Sequence, residues 1–288
     1  MQEIRNAAVL GAGMMGAEIA LCFAIAGIEV TVKDVDIHAV ERGISRAGAA
    51  LDKLIRKDPA KANEREQILS RLHAAVSYDP LAEADFLVEA VFEDPVVKGE
   101  ALADADRICK PECIFSTNTS SLRVTTLATH VGTERRKRFI GTQFFSPVSL
   151  MKLVEVVPGL ETEQATVDQT MDVCQKIGKT PIWTKDVAGF AVNRLLHAMM
   201  IEAERCVEEG VASAEDIDLA CKLGLGHPIG PFQLMDLVTN ELILDIQNIL
   251  QEAYGPRFMP RPVLKQKVDA GHSGRKSGRG WYEYSSKP

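Results

Sequence analysis

"AAVLGAGMMGAEIALCFAIAG", residues 7–27, sets a short apolar run before a glycine-rich turn and a helix-length apolar stretch after it. Gly11, Gly13 and Gly16, with Met14 and Met15 between the last two, have the spacing that joins a strand to a helix around a pyrophosphate. Glycine lets the backbone turn sharply and approach the phosphates, and the free N–H groups and dipole of the helix N-terminus favour the anion. The next run, "VTVKDVD" (30–36), reads as a second strand and places an acid, Asp34, about 20 residues beyond the first glycine, where a dinucleotide site needs one. Asp34 would accept hydrogen bonds from both hydroxyls of the adenosine ribose and repel a 2′-phosphate, which points to NAD over NADP. FAD shares the fingerprint, and glycines required only for close helix–strand packing are the plainer alternative.

Outward from this unit, β-like runs recur at "FLVEAV" (86–91), "CIFSTN" (113–118) and "RFIGTQFF" (138–145), separated by helix-length segments. The economical fold is α/β, a Rossmann-type, mostly parallel sheet covered by helices on both faces. Near residue 186 the pattern changes. "GFAVNRLLHAMMIEAERCVEEG" (189–210) has apolar residues at helical spacing, and "SAEDIDLACKLG" (213–224) opens with a helix N-cap pattern. Helices alone are expected to about residue 270. We therefore expect a dinucleotide-binding domain over 1–186 and an all-α domain over 187–288.

The 288 residues are 46% hydrophobic and 25% charged, an ordinary globular composition. A net charge of −7 with mixed signs argues against nucleic acid or an anionic membrane as the main partner. The basic run Glu134-Arg135-Arg136-Lys137-Arg138 reads as a solvated loop. Six cysteines form no CxxC pair, and the four-residue spacing of Cys109 and Cys113 lacks a partner cluster, so no metal site is expected. No run approaches the roughly 20 apolar residues that span a bilayer, and no cleavage pattern follows the first apolar stretch, so a cytoplasmic protein is expected.

Three later stretches, "STNTSSL" (116–122), "FFSPVSLMKLVEVV" (144–157) and "KDVAGFAVNRLL" (185–196), are joined by "KLGLGHPIGPFQLMD" (222–236) and "KSGRGWYEY" (276–284). In this order and over nearly the whole chain they closely resemble the L-3-hydroxyacyl-CoA dehydrogenase family. The resemblance implies NAD as cofactor, a helical C-terminal domain that forms a homodimer, and oxidation of a 3-hydroxyacyl thioester at the cleft between the domains, as in fatty acid metabolism. Ser120 then matches the contact to the substrate hydroxyl, Asn193 the active-site asparagine, and Glu155 the carboxylate that orients the catalytic histidine. Asn118 falls by the nicotinamide, and Glu89 and Lys98 match positions lining the cofactor cleft. Lys53 and Lys57, in "AGAALDKLIRK" (47–57), match the segment that meets the coenzyme A nucleotide, although Ala49 and Ala50 do not supply the family's usual hydroxyl. Plainer readings stand beside these: a turn or cap serine for Ser120, a cap or buried amide for Asn193, and solvated helix faces for the three lysines.

Where the family usually reads G-x-H-F-F-N-P, this chain reads Gly141-Thr142-Gln143-Phe144-Phe145-Ser146-Pro147. The histidine that takes the hydroxyl proton is absent, and an amide is neither acid nor base near neutral pH. A positioned acid–base group contributes about 10² to 10⁴ in rate, so the change is not conservative. Ser146 is milder, keeping a hydrogen-bonding group. Three repairs are open. Glu155 can serve as base, directly or through a water held by Gln143, if burial raises its pKa. His197 lies one helical turn beyond Asn193 on the same face and can substitute. Otherwise the chain acts on a non-CoA hydroxy acid, or binds NAD without turnover as a crystallin-like or regulatory dimer.

Overall fold

The computed structural model describes residues 3–284. The chain divides into two compact units, Met1–Phe190 and Ala191–Pro288. Phe190 belongs to the first because its ring is buried in that unit's core, and Asp186 just before it accepts the N–H groups of Val124 and Thr125.

The first unit opens with β1 (Asn6–Leu10), α1 (Met14–Ile25), β2 (Glu29–Lys33) and α2 (Ile37–Lys57). It continues through α3 (Arg65–Ser70), β3 (Leu72–Ala75), β4 (Phe86–Glu89), α4 (Pro95–Asp106), β5 (Ile114–Thr117) and two short helices, α5 (Val124–Leu127) and α6 (Thr133–Arg136). β6 (Phe139–Phe144), β7 (Leu153–Pro158), α7 (Gln164–Lys176) and β8 (Thr180–Trp183) complete it. The eight strands form one sheet in the order β3-β2-β1-β4-β5-β6-β7-β8, parallel throughout except for the antiparallel pair β6 and β7. Strand order reverses between β1 and β4, and at such a switch point a crevice opens beyond the carboxyl ends of the strands. Apolar side chains cover both faces, with Ile19, Phe23 and Leu51 in one layer and Leu102, Phe115 and Phe139 in the other. This is why β4 and β5 read as unbroken buried runs instead of alternating ones.

Two glycines make the first turn possible. Gly11 has φ +95°, and a Cβ there would lie 2.6 Å from the Ala90 carbonyl oxygen; one on Gly16 would lie 1.9 Å from the Gly11 oxygen. Asp36 and Asp94 cap α2 and α4 by accepting N–H groups of their first turns.

The second unit is helical: α8 (Val192–Glu208), α9 (Ala214–Gly224), α10 (Pro231–Val238), α11 (Asn240–Tyr254) and α12 (Pro262–Asp269). Met200, Phe232, Met235, Ile243 and Leu264 form its core. Ser213 caps α9, as its sequence pattern predicts. Two buried aspartates pin the unit together. Asp218 accepts the N–H groups of Phe232 and Gln233 and the Tyr282 hydroxyl. Asp236 accepts from Trp281 N, Tyr282 N and the Tyr284 hydroxyl. The closing "KSGRGWYEY" motif is thus a strap hydrogen-bonded to the helices.

One expectation changes. The run at 134–138 is not wholly a solvated loop: Arg135, in α6, is buried and donates to the carbonyls of Cys109, Lys110, Pro111 and Cys113 and to Asp106. All six cysteines are free thiols. Among the described residues no helix is long and apolar enough to cross a membrane.

Candidate active site

The glycine turn opens onto a cavity of about 480 Å³, lined by Gly11, Gly13, Met14, Met15 and Asp34. Gly16 lies beneath, where it permits the turn to close. Gly13, the N-cap of α1, has no side chain to engage the first-turn N–H groups, so these stay open to an anion. Asp34 stands at the end of β2, its Oδ2 accepting Ala12 N at 2.6 Å and its Oδ1 Val35 N at 2.7 Å. Arg42 and Arg46 of α2 line the same cavity. Sequence patterning did not single them out, although they recur one turn apart on either side of Gly43.

Glu89 and Lys98 form a pair in the interior of the first unit. Both are fully buried, and the Lys98 ammonium lies 2.7 Å from Glu89 and 3.2 Å from Glu93. Glu89 also accepts Val91 N and the Thr117 hydroxyl. Glu93, which sequence reasoning missed, takes four hydrogen bonds on one oxygen: from the Thr119 hydroxyl (2.6 Å), Ser120 N (2.8 Å), Ser121 N (3.0 Å) and the Ser121 hydroxyl (2.9 Å). Burial pushes the Glu93 carboxyl up, but Lys98 and these donors outweigh it and hold it below the ordinary range. An ion ladder thus runs from β4 through α4 to the loop that presents Ser120. The available signal was proximity: Glu93 lies in the same "VEAVFED" stretch as Glu89.

Beside that loop, Asn118 accepts Phe144 N through its side-chain oxygen, tying the end of β5 to β6. Gln143 and Glu155 are register partners across β6 and β7, so their side chains leave the sheet on the same face. Gln143 is 5% exposed and Glu155 0%. The Gln143 Oε1 has no hydrogen-bond partner among the described residues. Ser146 follows on an exposed loop. Farther along this loop, Pro147, Ser149 and Leu150 close one side of a cavity of about 290 Å³ whose other wall carries Lys53 and Lys57 together with Arg56. Arg56 was legible only as one more cation in the same helical stretch.

Asn193 and His197 lie in the first two turns of α8, in the second unit. Asn193 is half-buried. His197 is 1% exposed, its Nδ1 has no hydrogen-bond partner among the described residues, and burial pushes its pKa down to about 4. It is neutral at physiological pH.

Residues 6–187 match the NAD-binding domain of 3-hydroxyacyl-CoA dehydrogenase, and residues 189–284 match the C-terminal domain of the same enzymes. The chain belongs to the 3-hydroxyacyl-CoA dehydrogenase family. A probable 3-hydroxybutyryl-CoA dehydrogenase of Bacillus subtilis is 40% identical over 286 residues, covering 99% of both chains. The 3-hydroxybutyryl-CoA dehydrogenase of Clostridioides difficile is 37% identical, over 96% of this chain and 99% of its own. The crystal structure of (S)-3-hydroxybutyryl-CoA dehydrogenase PaaH1 from Ralstonia eutropha matches with TM-score 0.95 and 37% identity, over 99% of this chain and 100% of that one. As a member of the 3-hydroxyacyl-CoA dehydrogenase family, the protein is an oxidoreductase that uses NAD. The cradle fits the dinucleotide: Gly11 and Gly16 leave no room for a Cβ, the α1 N-terminus is open, and Asp34 offers acceptors to a ribose.

Proposed function

We propose that the protein oxidises the hydroxyl of a short 3-hydroxyacyl-CoA, or reduces the matching 3-ketoacyl-CoA, with Glu155 handling the proton. The observation that carries this reading is the basic cavity of Lys53, Arg56 and Lys57, closed by the loop that begins at Ser146. It links cations suited to coenzyme A phosphates to the strand that holds Gln143. The names of the similar enzymes support the same substrate class.

The glycine turn of Gly11, Gly13 and Gly16 and the Asp34 carboxylate would hold NAD, which when bound would supply the hydride acceptor or donor. Ser120 contacts the substrate hydroxyl on a loop held by Glu93, and Asn118 lies at the nicotinamide end. Gln143 Oε1, a buried acceptor in want of a donor, receives a hydrogen bond from the substrate hydroxyl or from a water. Glu155, its register partner, takes the proton directly or through that water as the hydride leaves carbon 3. His197, buried and with a free Nδ1 among the described residues, is the alternative carrier of the proton. Asn193 retains the substrate contact that the family resemblance implies, and Ser146 is a polar neighbour to the acyl group.

Following NADH absorbance with acetoacetyl-CoA in wild type, Gln143→His, Glu155→Gln and His197→Ala tests the assignment. Turnover in wild type, its loss in Glu155→Gln and its survival in His197→Ala are expected. If NADH binds but all four proteins are inert, the reading of a dehydrogenase gives way to a non-catalytic NAD-binding dimer. Activity confined to hydroxy acids without coenzyme A would leave Glu155 in place and remove the acyl-CoA. We further take the second unit to form a homodimer through its exposed leucines, among them Leu219, Leu223 and Leu225. Light scattering should then give twice the 31.5 kDa chain mass.

A further inference from the structure

The loop that closes the basic cavity is held from behind by a lysine. Lys179 stands directly before β8, is 7% exposed, and donates through Nζ to the carbonyl oxygen of Val148 and, at 3.0 Å, to that of Met151. An ammonium has three N–H donors, and the Cys22 sulfur of α1 lies within hydrogen-bonding reach of this one. Among the described residues no carboxylate pairs with it. A buried cation answered only by carbonyls and a thiol costs folding energy, so its presence calls for another reason. The loop supplies one. Between the two carbonyls lie Ser149 and Leu150, which with Pro147 form the wall opposite Lys53, Arg56 and Lys57. Ser149 N donates to Glu18 of α1 at 2.7 Å, and Glu18 lies one helical turn before Cys22, so the same face of α1 meets the loop twice. Leu150 N and Met151 N both donate to the Pro147 oxygen, which closes the segment into a compact turn, and Val148 sinks its side chain into the core of the first unit.

We propose that Lys179 is a positioning residue for substrate binding: it fixes the turn 147–151 opposite Lys53, Arg56 and Lys57, so that the cavity is already shaped for the coenzyme A nucleotide. This rests on the acyl-CoA reading of that cavity and not on which group carries the proton. KM and kcat are measured with acetoacetyl-CoA and with acetoacetyl-pantetheine, the same thioester without the nucleotide, for wild type, Lys179→Met and Lys179→Gln, and binding of free coenzyme A is followed by calorimetry. Lys179→Met, an apolar side chain of similar reach, should raise KM for acetoacetyl-CoA about tenfold with kcat unchanged, as expected when binding shared by ground and transition states is lost, and should weaken coenzyme A by about the same factor. With acetoacetyl-pantetheine its KM should equal that of wild type. Lys179→Gln, which keeps a donor for one of the two carbonyls, should fall between, and it replaces the Met variant if that one does not fold. A general structural role would shift both thioesters alike or lower kcat, and either result overturns the proposal, as does an unchanged KM for acetoacetyl-CoA. A wild type that treats the two thioesters equally and does not bind coenzyme A would sink the acyl-CoA reading and this inference together. A wild type that prefers the CoA thioester, with variants that change both alike, would sink only the role of Lys179. If wild type binds coenzyme A without turnover, the calorimetric change in Lys179→Met decides the matter by itself.

Discussion

Gln143 and Glu155 face one another across the antiparallel pair of the sheet, and an amide there can exchange hydrogen bonds but cannot take up a proton near neutral pH. If Glu155 bears the proton alone, introducing an imidazole should raise the rate: Gln143→His is expected to gain about 100-fold in kcat/KM with acetoacetyl-CoA, within the usual range for a positioned acid–base group. An unchanged or lower rate would mean that the pocket has been rebuilt around the amide. A second single-residue effect belongs to Glu93. Removing it by Glu93→Ala takes one acceptor from four donors of the Ser120 loop and from Lys98, at a cost of about 1–3 kcal/mol in urea unfolding. If that loop positions the substrate, kcat should fall about tenfold or more, because small displacements of an aligning group are costly. The Kd for NADH should change far less, and Glu93→Gln, which keeps an acceptor oxygen, should recover part of the loss.

At the scale of elements, the join between β1 and α1 tolerates no added carbon. Gly16→Ala would drive a methyl group into the Gly11 carbonyl and lever α1 off the strand, and is expected to cost about 3 kcal/mol. Thermal denaturation should show the loss, and NADH affinity should fall with it; a stable variant with intact binding would contradict the packing described. This join was also the most legible part of the chain, because glycine spacing and buried strands leave strong local patterns. The two edge strands were not legible. β3 and β8 have four residues each and stand at the rims of the sheet, with His73 and Ala74 of the one and Thr180, Ile182 and Trp183 of the other exposed, so neither shows the buried run that marks a central strand. The ion pairing of Lys98 was illegible for a different reason: a lysine in a helix also reads as solvated, and only the fold brings Glu89 and Glu93 to its ammonium. In the candidate site the cradle, Asp34, Gln143 and Glu155 could be read in advance because motif order carried them. Arg42, Arg46 and Glu93 could not, since their relevance comes from what α2 and the loop after β4 pack against.

For the molecule as a whole, two buried groups on α8 couple stability to pH with opposite signs. Burial raises Glu204 from 4.5 to about 7, with a hydrogen bond from Gln247 pulling the other way. Its folded form holds the proton more tightly than its unfolded form, so its contribution is full below about pH 4.5 and is lost as pH rises through 7, an amount of about 3 kcal/mol. His197 is depressed from 6.5 to about 4, so its contribution is full above 6.5 and is lost as pH falls toward 4. Between roughly pH 4.5 and 6.5 the two slopes cancel. Relative to wild type, Glu204→Gln should therefore gain stability as pH rises from 5 to 7 and level off above it, read as the difference in urea midpoints at constant ionic strength. A difference that does not vary with pH would show that Glu204 is ionised in the folded protein.

The strap of Trp281, Tyr282 and Tyr284 carries a weight that its place outside the helices conceals. Asp218 and Asp236 are enclosed carboxylates, and each obtains a good share of its donors from this short segment. The helical unit can therefore bring its apolar side chains together and still leave two interior acids short of partners until the strap docks. Deleting the strap alone would be as harmful to that unit as a lesion in its apolar core.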